Sequence, residues 1–197
     1  IQNPTRLGND RNRQAWTCYN NFTLTYYAQA ADEIVGDVHY YYSSCDAPEF
    51  TLTDKVPVVD ATNAKITNAT IVRNNPNGIV YLAEGSTADN GNNIVVNGTC
   101  ANLVLTDGHP FTATKNFEAT NATYEMTAIA ASTDKSFGTI MLPFAINSLP
   151  NGAKAYSLEN NVVWGEDIHA TEVSSIAANT PTIVTAKGTY AANNVAI

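Results

Sequence analysis

Short apolar runs in this chain are cut repeatedly by corners that only a sheet tolerates. Asn77-Gly78, Asn90-Gly91, Asn97-Gly98 and Asp107-Gly108 are dipeptides that take left-handed backbone at low cost. The stretches between them, such as IVYLAEG, IVVNGTC and ANLVLT, have strand length and carry β-branched residues. A helix needs a longer uninterrupted pattern with period 3.6, and none stands between these corners. The abundance of Thr and Asn points the same way, since Thr suits a pleated surface and Asn suits turns. The expected fold class is all-β.

The stretch SFGTIMLPFAINSLPNGAKAYSL, residues 136–158, is the severest test of that reading. Its apolar run is too short for the roughly 20 residues a spanning helix needs, and Pro143 interrupts it. Alternation puts Phe137, Thr139 and Met141 on one face and Gly138, Ile140 and Leu142 on the other, so both faces read as buried. Pro143 has no N–H for a ladder and should end pairing. SLPNG then turns the chain and AKAYSL returns as the partner strand. No other window is long and apolar enough to span a membrane as a helix, and the chain is expected not to be membrane-spanning.

Three regions follow along the chain. Residues 1–55 form an N-terminal aromatic-rich β region containing FTLTYYAQA and DVHYYYSSC, with QAADEIVGD between them as a helical turn or a loop ending at Gly36. Residues 56–124 form a middle β-rich region, read as an irregular sandwich or as a solenoid. The motif ATNA at Ala61–Ala64 and Ala119–Ala122 is the one internal echo that favours stacked coils. Residues 125–197 alternate cleanly and are expected to form a small C-terminal antiparallel β-sandwich.

FGTIMLPFAINSLPNGAKAYSL, followed by VSSIAANTPTIVTAKGTY, resembles a C-terminal β-module of secreted or surface proteins of Bacteroidetes. The upstream NGTCANLVLTDGHPFTATKNFEATNATYE is similar to the segment that precedes that module, so the likeness spans roughly residues 76–190. It implies an extracellular or outer-membrane-associated setting and a place beside other domains of a larger surface protein. It carries no catalytic residues over to this chain.

Charge excludes one partner class. A formal net charge of −8 and arginines gathered early, at Arg6, Arg11 and Arg13, leave no basic stripe for nucleic acid. Of the three cysteines, Cys18 and Cys45 would bridge in an oxidising compartment; otherwise Cys18, Cys45 and Cys100 are buried thiols. Ile1-Gln2-Asn3-Pro4 has neither the basic nor the apolar segment of a signal peptide, as a mature or shortened chain would also lack them.

Catalytic patterns are missing from the sequence. There is no Gly-x-Ser-x-Gly elbow, and His39, His109 and His169 lie in separate regions. EDIHATE gathers Glu166, Asp167, His169 and Glu172, but a strand would align only Asp167 and His169, short of a zinc set. DNGNN at 89–93 lacks the acids of a calcium loop. Asp32, Glu33, Asp37, Asp46 and Glu49 supply carboxylates without a glycosidase signature. The sequons at Asn21, Asn68, Asn97 and Asn121 would matter in a eukaryotic secretory protein; the bacterial resemblance implies that they only reflect the Asn and Thr content. No cofactor and no metal are expected.

The sequence therefore reads as a non-catalytic structural or adhesion module. The alternative is a carbohydrate-binding module, and a hydrolase is the remote one. Ligand contact, to a host glycan or protein, falls on the N-terminal aromatics Trp16, Tyr27, Tyr40, Tyr41 and Tyr42. Consecutive tyrosines on alternating strands cannot all face one core, and rings with polar tips suit sugars and protein partners.

Overall fold

The computed structural model describes residues 31–89, 91–127, 129–131, 136–158 and 169–197, and every regular element among them is a β-strand. The first half is a stack of coils. β1 (Asp32–Val35) turns at Gly36, where φ is +65°, into β2 (Val38–Tyr41), and β3 (Cys45–Asp46) and β4 (Glu49–Leu52) complete the first coil. The second coil is β5 (Val58–Ala61), β6 (Ile66–Thr67) and β7 (Thr70–Arg73), each parallel to its predecessor. β8 (Ile79–Leu82) opens the third, and an Ala69–Ala88 bridge continues the middle side. Val38, Val58 and Ile79 stand in register, as do Cys45 with Ile66 and Glu49 with Thr70, so one coil takes 20 or 21 residues.

Stacking explains the residue choice. A single coil has too little apolar surface to bury, and only neighbouring coils close the core. Phe50, Leu52, Val59, Ile66, Val80 and Leu82 fill the interior, with small Ala64 and Ala69 at its corners. All four residues of β5 and of β8 are buried, because both faces of this sheet are covered.

β9 (Ile94–Val96) runs parallel to β8 and then reverses through Asn97-Gly98, both at positive φ (+48° and +75°), into β10 (Thr99–Thr106). That is the two-residue hairpin that an Asn-Gly pair favours. β11 (Glu118–Met126) lies parallel to β10, which requires a crossover, and residues 107–117 supply it over the outer face of the coils.

Two side-chain amides replace a missing strand along β10. Asn93 is fully buried at φ +59°, and its Nδ2 donates to the carbonyls of Pro76 (3.0 Å) and Val104 (2.9 Å) while Oδ1 accepts the Val104 N–H (2.7 Å). Two residues further on, Asn77 repeats the device. Its Oδ1 accepts the Thr106 N–H (2.6 Å), and Nδ2 donates to Thr106 (2.9 Å) and His109 (2.7 Å). Each amide thus pairs the donor and acceptor of one β10 residue as a neighbouring strand would.

The second sheet is antiparallel and contains β12 (Ala130–Ala131), β13 (Ser136–Ile140), β14 (Ala155–Leu158), β15 (Ala170–Val173) and β16 (Thr182–Val184), in the order β12-β13-β16-β14-β15. β17 (Gly188–Ala196) leaves it and pairs antiparallel with β11, completing an eight-stranded sheet. One core runs through both sheets, from Val58, Ile79 and Tyr81 through Leu103 and Ala122 to Phe144, Val184 and Tyr190.

The all-β class stands, and the middle region is the stacked, solenoid-like form rather than an irregular sandwich. Four local expectations change. Within QAADEIVGD, Asp32–Val35 form β1 instead of a helical turn or a loop. AKAYSL is not the partner of β13, because β16 enters between them. Only one face of the 136–142 run is buried, since Phe137 and Met141 are 44% and 63% exposed. The boundary expected between residues 124 and 125 falls inside β11.

Candidate functional site

The tyrosine run of β2 is divided by the strand's alternation. Tyr41 turns to the coil interior, against Phe50 (4.9 Å between ring centroids) and His39 (4.6 Å). Burial, and then the Asp32 carboxylate, push its phenol up. His39 Nε2 meets Asp32 Oδ2 at 2.7 Å on the same side. Tyr41 therefore packs on the interior side of β2, as Tyr40 packs against the larger core on the other side.

Tyr40 and Tyr42 share the outer face, half-buried, with ring planes within 3° and centroids 6.2 Å apart. The hairpin brings β1 alongside, so Glu33 pairs with Tyr40 and accepts a hydrogen bond from Tyr42 (Oη to Oε1, 2.5 Å). That bond holds the neutral phenol and pushes Tyr42 up to about 12. The next strands extend the row: Tyr40 stands beside Asp60, and Asp60 beside Tyr81.

Asp60 is a buried carboxylate anchored from the crossover. Lys115 Nζ lies 2.7 Å from Oδ2 and 2.9 Å from Oδ1, and also donates to Thr62 Oγ1 at 2.6 Å. Thr62 donates to Oδ1 from both its hydroxyl (2.7 Å) and its backbone N–H (3.1 Å). Burial alone would raise this carboxyl; the bonds from Lys115 and Thr62 outweigh it and hold it below the ordinary value. The ammonium also sits 5.8 Å from the centre of the Tyr81 ring. Tyr81 Oη donates to the Lys115 carbonyl and accepts the Thr114 N–H, and Phe117 meets its ring edge-on. Lys115 has three protons and three acceptors, so it is a latch rather than a free cation.

Trp16, Tyr27 and Cys18 lie outside the described residues, as do Glu166 and Asp167. Cys45 is exposed on β3, with its thiol 3.8 Å from the Asp46 carbonyl. Cys100 is buried, and burial pushes its thiol up. The histidines do not converge: His39 is paired with Asp32, His109 approaches Asp54 at 3.5 Å, and His169 is exposed just before β15. Glu172 is bound to Lys154 at 2.9 Å. Among the described residues no three His, Cys, Asp or Glu side chains gather as a metal site.

A separate open hollow of about 700 Å³ lies on the outer face of the five-stranded sheet, lined by Ser136, Phe137, Tyr156, Ala170, Ile183 and Thr185. These described residues bring hydroxyls and apolar surface, without an acid or base.

Sequence reasoning named Glu33 only as one of several carboxylates and missed Asp60 and Lys115. A lone acid inside the apolar run VVDA was the available signal, because a carboxylate in such a strand needs a partner. Nothing in the sequence marks a lysine 55 residues later as that partner. Comparison with known proteins gives no match to a family model, a curated protein or a solved structure.

Proposed function

We propose that the chain is a non-catalytic structural and adhesive module of a bacterial surface or secreted protein, working outside the cell beside other domains of that protein. The observation that carries this reading is the use to which the buried polar groups are put. Asn75, Asn77 and Asn93 hold strand backbones and turns, and Asp60 and Lys115 hold a crossover onto the coils. These buried polar groups, among the described residues, are occupied in joining one part of the scaffold to another. The resemblance of residues 76–190 to modules of Bacteroidetes surface proteins supports the setting. Among the described residues no helix is long and apolar enough to cross a membrane.

Beads coated with the intact chain test the proposal. They should be retained on at least one host-cell, matrix-protein or glycan surface, and the chain should leave ester, peptide and glycoside substrates unchanged. Turnover of any of these, or retention on no surface, would count against it.

A second reading, carbohydrate binding, is favoured by one feature: the parallel Tyr40 and Tyr42 rings beside Glu33 on an outer sheet face. Parallel half-buried rings are held in place by the scaffold, so a flat ligand meets them with little ordering cost.

A further inference from the structure

We propose that Tyr40, Tyr42 and Glu33 form a subsite for an uncharged pyranose unit of a neutral glycan, and that this subsite rejects acidic sugars. The inference rests on the carbohydrate-binding reading and adds the class of sugar.

The rings supply the apolar half of the contact. An aromatic face carries partial negative charge, and the C–H groups on one face of a pyranose carry partial positive charge, so the two stack. Tyr40 and Tyr42 are parallel within 3°, and their partial burial fixes that orientation. Glu33 supplies the polar half. Its Oε1 accepts from Tyr42, which positions the carboxylate, and Oε2, with no partner among the described residues, can accept from sugar hydroxyls around the ring.

Charge sets the selectivity. Glu33 has no cation partner among the described residues, and the nearby Asp60 is a second carboxylate. The cation of the row, Lys115, directs its three protons to Asp60 Oδ1, Asp60 Oδ2 and Thr62 Oγ1, leaving none for an incoming carboxylate. With a chain charge of −8, an acidic sugar meets repulsion, and among the described residues of this row it finds no free counter-ion.

Calorimetric titration of the intact chain decides the matter, with β-1,4-linked hexamers of glucose, mannose and xylose as neutral probes and the hexamer of galacturonic acid as the acidic probe. At least one neutral hexamer should bind, and the acidic one about tenfold more weakly or worse. Tyr40→Ala and Tyr42→Ala should each weaken the neutral complex about tenfold, and Glu33→Gln several-fold, with the melting temperature checked for each. If Tyr40→Ala does not fold, Tyr40→Leu keeps the apolar bulk without the ring and answers the same question. Tyr156→Ala, in the distant hollow, should leave binding unchanged. Equal or tighter binding of the acidic hexamer through the same tyrosines would overturn the selectivity and leave carbohydrate binding standing. Binding that survives the tyrosine changes but is lost in Tyr156→Ala would move the site to the five-stranded sheet. Silence from all four hexamers at about 10 mM would overturn both the subsite and the reading beneath it.

Discussion

Replacing Asn93 by alanine removes three hydrogen bonds from a side chain with no solvent exposure. The Val104 N–H loses its side-chain acceptor, at about 2 kcal/mol for a buried donor, and the carbonyls of Pro76 and Val104 lose a donor at about 1 kcal/mol each. Alanine must also hold φ +59°, a conformation that the short polar side chain of asparagine tolerates better, which adds up to about 1 kcal/mol. Entry of a water would recover part of this, so the expected loss is about 3–5 kcal/mol, a large share of a typical domain's stability. Asn93→Asp sharpens the test. It keeps the acceptor for Val104 N–H but turns an oxygen toward two carbonyls that now receive a proton donor. Burial and those carbonyls favour its protonated form, so its folded-state pKa is raised and the variant gains stability as pH falls. Urea unfolding followed by circular dichroism, near pH 7 and near pH 5, reads both effects, with exposed Asn92→Ala as control. A loss below about 1 kcal/mol for Asn93→Ala would refute the idea that these amides stand in for a strand.

Other perturbations have equally definite outcomes. Lys115→Met should cost about 2 kcal/mol, because it strands the Asp60 carboxylate beneath the crossover, with the value reduced for the lysine's partial exposure. Asp60 is held below its ordinary value, so its stabilising contribution is present above the unfolded carboxyl pKa and is lost as pH falls through the folded one. Melting curves on the acid side should show that loss in the native chain and not in the variant. Gly78→Ala places a Cβ 2.7 Å from Leu52 Cβ and should lower stability by about 1–3 kcal/mol, while Gly138→Ala meets the mobile end of Met126 and should cost less; chemical denaturation ranks the two. Tyr42 and Tyr124 are pushed up to about 12, the first by its bond to Glu33 and the second by burial and then Asp107. Phenolate absorbance should show late titration that each Tyr→Phe change diminishes. Any stability these phenols add is complete below pH 10 and fades toward 12; both titrating near the ordinary phenol value would contradict the geometry.

Much of the β-architecture was legible because corners are written in residue chemistry. Asn97-Gly98 makes the hairpin its dipeptide announces, and alternation alone separates Tyr41 from Tyr40 and Tyr42. The coil period was not legible, since equivalent positions share direction and space rather than identity. Tyr40, Asp60 and Tyr81 occupy one row, and Leu52 stands beside Arg73. The ATNA echo misleads, for its first copy rounds the corner after β5 and its second lies within β11. SLPNG does turn the chain locally, with the Ala153 N–H donating to the Pro150 carbonyl, but β13 and β14 both lie antiparallel to β16 and so run in the same direction, and a strand contributed by residues 182–184 takes the place beside β13. Pairing of that kind is decided by the whole sheet, as is the choice of Lys115 for Asp60. The candidate site was legible as a list of tyrosines, and the placing of Glu33 beside two of them required the hairpin of β1 and β2.

Coils that repeat every 20 or 21 residues also turn chain length into a ruler. Adjacent strands are spaced by about 4.8 Å, so one whole coil added between β4 and β5 would displace the Tyr40–Tyr42 face by that step from the five-stranded sheet. The faces at either end would keep their own residues and geometry. Distance between the two surfaces is thus adjustable in discrete increments, a property that suits a part whose work is to hold something at a set height.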